Sequence, residues 1–374
     1  MKLTLQIKLL PERDHARKLQ ETIERFNEAA NWLAGEAFVR QLSNKIILQR
    51  LFYKELRQRF GLSAQMAVRC IAQVCEAYRR DKSKRPQFRS HAAMPFDQRL
   101  MSFKSTDGVS LRTLKRRVEV AFVMGKYQAE KFTNAQGQAD LVLRDDGKWF
   151  LLATVDVPDG NKTAASDFVG VDLGVINIAA DSDGEKHTSA EIEAKRVQYA
   201  TRRRRLGKAT NGAKRSTRRH CHKAVSRTKK KEARFRRDTN HRISKGLVAK
   251  AKGTGRGIGM EDLKGIRDRT QFRKQQRART SGWSFFQLRS FVEYKATLAG
   301  VMFVAVDARN TSRTCAECGH VDKANRKSQS QFECQACGHQ AHADVNSARV
   351  VAIRVRAAVN RPMGSEQPSV ASVA

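Results

Sequence analysis

The chain opens on a strict alternation. Leu3, Leu5, Ile7 and Leu9 share one face of residues 2–9, with Lys2, Thr4, Gln6 and Lys8 between them, which predicts a half-buried strand. Pro11 stops it and is placed to open the next helix. From about 12 to 38 the period lengthens, with Leu19, Ile23, Phe26, Ala30, Leu33 and Ala37 recurring at helical spacing. A second helix is predicted over about 45–60, ended by Gly61, and a third over about 64–80, capped by Ser63. Cys70 and Cys75 in the third read as small core residues. The basic turn Asp81-Lys-Ser-Lys-Arg-Pro-Gln-Phe-Arg-Ser90 suits either a phosphate grip or a solvated linker. Strand-like runs then return at 101–104, 109–112, 118–123, 139–143 and 149–157, a spacing that predicts an antiparallel barrel. The helices therefore read as an insertion after the barrel's first strand. Pro158-Asp-Gly-Asn161 marks a boundary.

Beyond it, Phe168-Val-Gly-Val-Asp172-Leu-Gly-Val-Ile-Asn177-Ile-Ala-Ala-Asp-Ser-Asp-Gly184 reads as a β-hairpin. Next come helices broken near Thr210-Asn-Gly212, then a helix over about 240–251 leading into the strand that ends at Glu261. Residues 262–281, rich in Arg, Lys and Gln, predict a mobile loop. Residues 283–298 predict an amphipathic helix with its aromatics in the core, 301–307 a buried strand, and the stretch from Asp344 another amphipathic helix. The last fifteen residues, with Pro362, Gly364 and Pro368, predict a disordered end.

Charge adds a partner class. Lys and Arg number 73 against 37 Asp and Glu in 374 residues, a net charge of +36, which points to polyanions without selecting an enzyme. Between Lys195 and Arg237 there are 19 Lys and Arg against one Glu. This run includes Arg202, Arg203, Arg204 and Arg205, and Lys229, Lys230 and Lys231, the candidate nucleic-acid contacts. His220-Cys221-His222 lacks metal partners at fixed spacing and reads as basic loop. No run approaches a membrane helix and the first residues lack a cleavage site. Four of the seven cysteines fall in one metal-spaced cluster, so a reducing, cytoplasmic location on the nucleoid is expected.

Two sets of residues carry chemistry. Cys315-Ala-Glu-Cys318-Gly-His and Cys334-Gln-Ala-Cys337-Gly-His are paired CxxC knuckles with fifteen residues between Cys318 and Cys334. Four thiolates at this spacing predict a tetrahedral, structural Zn²⁺ site with no position left for water; an iron–sulfur cluster is the lesser alternative. His320 and His339 are spare. The module lies between the 301–307 strand and the Asp344 helix, so its folding is expected to help position that carboxylate. Its basic loop (Lys323, Arg326, Lys327) is expected to touch nucleic acid. The second set is Asp172 inside an apolar strand, Glu261 at the end of another, and Asp344 at a helix start. A buried carboxylate is costly without a cation. Three on separate core elements could converge on two Mg²⁺ ions clamping a phosphodiester, as in RNase H-like nucleases.

In order, Val169-Gly-Val-Asp-Leu-Gly-Val175, Met260-Glu-Asp-Leu263, the four cysteines and Asp344-Val-Asn-Ser-Ala348 resemble the RuvC-like nuclease half of the TnpB (OrfB) proteins. Insertion-sequence transposons encode these proteins, which are similar to the type V CRISPR effectors. The motif match is dense in the C-terminal half and rests on layout alone in the N-terminal half. His342 departs from the further acidic residue of many relatives.

The resemblance implies a wedge β-barrel (1–10 and 94–162) carrying an inserted helical recognition lobe (11–93), then an RNase H-like (RuvC) α/β nuclease domain (163–310 and 341–360). A zinc ribbon that binds target nucleic acid (311–340) would be inserted in it, with a tail at 361–374. It implies an RNA-guided DNA endonuclease holding two Mg²⁺ (or Mn²⁺) ions on Asp172, Glu261 and Asp344, with structural Zn²⁺ on Cys315, Cys318, Cys334 and Cys337. The implied partners are a guide RNA from the transposon end, double-stranded target DNA and its displaced strand, bound by a monomer. A transposase performing strand transfer and a guided repressor are the alternatives.

Overall fold

The computed structural model describes residues 1–104, 107–132, 138–161, 163–263 and 285–360. Most of the predicted 262–281 loop, Trp283 and the predicted tail lie outside them. The chain forms two compact units, Met1–Pro158 and Asp159–Ala374.

The first unit begins with β1 (Lys2–Leu10), α1 (Arg13–Val39), α2 (Lys45–Phe60) and α3 (Ala64–Arg80). Local chemistry sets the helix ends: Asn44 accepts from the Ile46 and Ile47 N–H groups, Gly61 is left-handed, and the Ser63 hydroxyl accepts from Met66 N–H. Pro11 does not open α1, because Glu12 is the N-cap; Pro11 only ends the strand. The turn at 81–90 is tied to α1, where the Asn31 amide donates to Phe88 O at 2.8 Å and accepts from Phe88 N–H at 2.8 Å.

The sheet is completed by β2 (Met94–Phe96), β3 (Met101–Phe103), β4 (Gly108–Arg112), β5 (Arg117–Val123), β6 (Ala139–Leu143) and β7 (Trp149–Asp156), with a short α4 (Lys126–Lys131). The order is β2-β6-β7-β1-β5-β4-β3, every pair antiparallel. The two outer strands β2 and β3 are consecutive in sequence, so at about 3.3–3.6 Å per residue their joined ends lie within about 17 Å. The sheet must curl until its edges nearly meet, a nearly closed barrel. Ile7, Val120 and Leu151 from the barrel share one core with Leu19, Phe26, Leu56 and Ile71 of the helices.

The second unit contains β8 (Phe168–Asp172), β9 (Asn177–Asp181), β10 (Lys186–Thr188), α5 (Ala190–Lys208), α6 (Arg215–Gly253) and β11 (Gly257–Asp262). It continues with α7 (Phe285–Ala299), β12 (Phe303–Asp307), β13 (Gln331–Glu333), β14 (Gln340–His342) and α8 (Ala343–Val359). The sheet order is β10-β9-β8-β11-β12, with the predicted hairpin β8–β9 antiparallel and β11 parallel to both β8 and β12.

Four expectations change here. The helix predicted at 240–251 is the last third of the single 39-residue α6. Its pattern turns amphipathic at Thr239 only because there the helix reaches the core, where Ile243, Leu247 and Val248 are buried. His220-Cys221-His222 lies within α6, not in a loop, and Cys221 is buried. Of the predicted 301–307 strand, Val301 is buried but Phe303–Asp307, the part that forms the strand, is not. As β12 it is the sheet's outer strand and no residue in it is fully enclosed. Among the aromatics of α7, Phe286 points to solvent, 75% exposed.

Alternation in the strands assigns the two faces of this sheet. Val169, Val171, Ile258 and Met260 pack with Ile243, Leu247, Leu288 and Val292 of α6 and α7, while Phe168 packs with Val351 and Val355 of α8. The α8 backbone lies directly on β8, since a Cβ at Gly170 would come 2.0 Å from Ala348 O. Among the described residues no helix is long and apolar enough to cross a membrane.

Candidate carboxylate and cysteine sites

The same alternation delivers the carboxylates. Asp172 has the parity of Phe168 and Gly170, and Glu261 that of Gly257 and Gly259, so both side chains face α8. Val171 and Met260 are paired in the parallel β8–β11 ladder, so the next residues, Asp172 and Glu261, stand side by side at the carboxyl ends of adjacent strands. Asp344 lies in the first turn of α8, whose body is laid across those strands. Three segments separated by about ninety residues each thus converge.

Partners hold two of the three in place. Asn177, the first residue of β9, donates its amide N–H to Asp344 Oδ2 at 2.8 Å, both groups buried. Arg326 approaches Asp344 Oδ1 at 3.4 Å. The Thr311 hydroxyl donates to Glu261 Oε1. His342 gives the unexpected position a role, because its Nδ1 accepts from Asp344 N–H at 3.3 Å and caps α8. Asn177 and Asn346 stand inside the hairpin and the Asp344–Ala348 motif without an assigned role, and nothing in the sequence pattern singled out Thr311. Arg326, one of the basic-loop residues expected to touch nucleic acid, is directed towards Asp344.

The electrostatics are those of a concentrated negative site. Burial pushes the Asp172 carboxyl well above the usual range, and the charges of Glu261 and Asp344 push it further, against a smaller pull from Arg326. Burial also raises Glu261, opposed by the Thr311 hydrogen bond and the nearby Arg354. The residues therefore fit a divalent cation. They are hard oxygen donors whose charges raise the cost of ionising Asp172, although among the described residues only the four cysteines bring three or more ligand atoms within 4.8 Å of one another.

The cysteines form the second cluster. All four sulfurs lie within 4.8 Å of one another, with Cys315–Cys337 at 3.8 Å and Cys318–Cys334 at 3.5 Å. A disulfide would need about 2.05 Å. Tetrahedral Zn–S bonds of about 2.3 Å give sulfur–sulfur edges of about 3.8 Å, so the arrangement fits zinc. Both knuckles repeat one geometry. Cys315 N–H bonds His320 O and Gly319 N–H bonds Cys315 O, while Cys334 N–H bonds His339 O and Gly338 N–H bonds Cys334 O, all at 2.9–3.0 Å. Gly319 and Gly338 take φ of 75° and 72°, the left-handed turn that lets the backbone fold over the sulfurs. Backbone N–H groups of Cys337 and Ala336 lower the Cys334 thiol, whereas burial raises Cys315 and the neighbouring sulfurs raise Cys337, as expected where four crowded sulfurs cannot all ionise without a cation.

Of the candidate nucleic-acid residues, Arg202, Arg204, Arg205, Lys229, Lys230 and Lys231 are exposed on α5 and α6. Arg203 is turned inward and pairs with Glu232 at 2.6 Å, joining the two helices.

Residues 152–264 match the OrfB_IS605 family model, described as "Probable transposase", and residues 285–351 match the "Cas12f1-like, TNB domain". A CRISPR-associated endodeoxyribonuclease Cas12f1 from Sulfoacidibacillus thermotolerans is 34% identical over 274 residues, 68% of this chain and 63% of that protein. The TnpB-like protein MJ0751 of Methanocaldococcus jannaschii is 35% identical over 108 residues, 29% of this chain and 38% of its own length. The chain spans less than two thirds of either relative. Among solved structures, a cryo-EM structure of a Cas12f1–sgRNA–target DNA complex shares the fold, with a TM-score of 0.59 at 14% identity over 90% of this chain and 83% of that one. The resemblance read from the motifs is borne out in the domains: residues 152–264 match the OrfB_IS605 model and residues 285–351 the Cas12f1-like TNB domain.

Proposed function

We propose that the protein is an RNA-guided DNA endonuclease with a RuvC-like active site at Asp172, Glu261 and Asp344. The observation that carries this reading is the convergence of three carboxylates, in a chain bearing 36 excess positive charges. A binding protein has no use for three mutually repelling acids in its core, whereas a phosphodiesterase does. Bound Mg²⁺ or Mn²⁺ would activate a water for in-line attack and stabilise the leaving 3′-oxygen. The chain's own part is to hold the carboxylates. Asn177 and His342 fix the Asp344 end, Thr311 fixes Glu261, and the β8–β11 register fixes Asp172 beside it.

In this reading residues 311–340 form a structural zinc ribbon. Exposed Arg202, Arg204, Arg205 and Lys229–Lys231 line the path of the guide RNA and DNA target. The first unit serves as wedge barrel with an inserted recognition lobe. Base pairing selects the target and the protein reads only a short flanking motif. Strand transfer by the same triad is the second reading, because transferase and nuclease share such a site.

The test is to sequence the RNA that co-purifies when the gene is expressed with its flanking DNA, and then to challenge the complex with a matching plasmid and Mg²⁺. One abundant RNA and cleavage at its complement are expected. D172A should abolish cutting and retain RNA. Residual cutting by D172A refutes the metal assignment, and joined rather than cut ends favour the transposase.

A further inference from the structure

We infer that Thr311 and Asn346 are positioning residues through which the four-cysteine module sets the geometry of the carboxylate site; this rests on the reading of Asp172, Glu261 and Asp344 as a divalent-ion site. The strands and α8 place the backbones of these acids but leave the side-chain torsions free, three of them for Glu261. Something else must aim the oxygens. For Glu261 that group is Thr311, itself buried. The Thr311 oxygen also lies 3.1 Å from Ala308 O. A hydroxyl has one proton to give, and an ionised carboxylate is the stronger acceptor.

Thr311 lies four residues before Cys315. Between them and just beyond, Asn346 closes a clamp. Its amide donates to Thr314 O at 2.8 Å, and its Oδ1 accepts from Ala316 N–H at 3.0 Å. The fully buried Asn346 thus straddles Cys315 and completes the backbone hydrogen bonds on both sides of it. Asn346 lies in the first turn of α8, two residues after Asp344. A single segment, 311–316, therefore touches Glu261 through Thr311, the Asp344 helix through the Asn346 clamp, and the sulfur cluster through Cys315. On the far side of the module, fully buried Asn325 donates to Arg313 O at 2.9 Å and His320 O at 3.2 Å and accepts from Gln335 N–H at 2.9 Å. That lock binds the two knuckles into one body beside Arg326. When the cysteines are joined by a metal, the segment has one position, and so do the two carboxylates.

The decisive variant is T311V, which keeps the shape and removes the donor, with T311S as its conservative rescue. The full chain with its co-purified RNA would be titrated with Mn²⁺ by calorimetry. Zinc content, melting temperature and the Mg²⁺ dependence of cleavage would be measured on the same samples. The expected result is stoichiometric zinc and wild-type melting in T311V, with divalent-ion affinity lowered about 10–100-fold, the usual cost of removing an outer-shell hydrogen bond. Cleavage should recover at high Mg²⁺, and T311S should bind nearly as wild type.

Unchanged Mn²⁺ affinity in T311V overturns the inference, and so does loss of zinc or of melting temperature in step with affinity, which would make Thr311 merely structural. Wild type read against D172A tests the underlying site separately. If wild type binds Mn²⁺ only through Asp172 yet never cuts DNA, the inference stands and the nuclease reading falls. If wild type binds no Mn²⁺ there, the ion site fails, and the inference with it, before T311V is considered.

Discussion

The two clusters that can hold metal are built in opposite ways. The cysteines come from one stretch of 23 residues, paired by short knuckles that recur with the same hydrogen bonds. The carboxylates come from β8, β11 and α8, and meet only because the sheet register and two close helix–strand packings bring them together. One is a local motif, its four sulfurs carried on two short turns. The other is a product of the completed fold, in which burial and the neighbouring acids push the Asp172 carboxyl upwards. The lesson is that spacing identifies a site whose geometry is local, whereas a site made by tertiary structure is announced only by misplaced residues, such as an acid in an apolar strand.

The largest effect that would break this contrast is expected from C315S. Structural zinc supplies about 10–16 kcal/mol in isolated finger peptides, so removing one ligand should unfold the module. Zinc stoichiometry should fall and amide exchange across 311–342 should rise sharply, with β1 to β7 unaffected. Protection retained throughout 311–342 without zinc would mean the module folds unaided.

The carboxylates should behave conversely. Neutralising one acid in D172N removes repulsion that burial amplifies. Without added divalent ions the variant should melt about 2–4 °C above wild type, the shift about 1 kcal/mol makes in a domain of this size. Added Mn²⁺ should stabilise wild type and leave D172N unmoved. A lower melting temperature for D172N in ion-free buffer would contradict stored repulsion.

A smaller effect sharpens the comparison within one sheet. Asp183, just beyond β9, accepts two hydrogen bonds from Arg256 at 2.9 and 2.6 Å and lies 3.1 Å from Lys250. The Arg256 bond chiefly holds its carboxyl down, to about 2. A depressed carboxyl stabilises the fold above its unfolded value near 3.8 and loses that contribution as pH falls towards 2. D183N should cost no more than about 1 kcal/mol at pH 7, as the group is partly solvated. The gap from wild type should close in melts taken between pH 4 and 2. A gap that stays constant with pH would show that the ion pair contributes nothing.

How much of this was legible follows the same division. The alternation at Leu3–Leu9, the Gly61 stop, the Ser63 cap and the CxxC spacing all act over a few residues, so α1 to α3, the hairpin and the cysteine cluster could be read directly. Asp172, Glu261 and Asp344 could be nominated because each breaks a local apolar pattern or matches a motif. Their supports could not. Thr311, Asn346 and Asn177 acquire meaning only from partners 30 to 167 residues away. The errors have the same source. The 301–307 run is as apolar as a central strand, but its place at the sheet's edge is decided by pairing. The change of pattern inside α6 looks like a helix start because burial, not a break in the backbone, begins there.

The most direct test of the central claim, that three distant carboxylates make one divalent-ion site, is anomalous diffraction or cryo-EM density from the complex loaded with Mn²⁺. Ion density is expected within about 2.0–2.2 Å of oxygens from Asp172, Glu261 and Asp344 together, and none in D172A. Manganese bound elsewhere, or held by one of these acids alone, would contradict it.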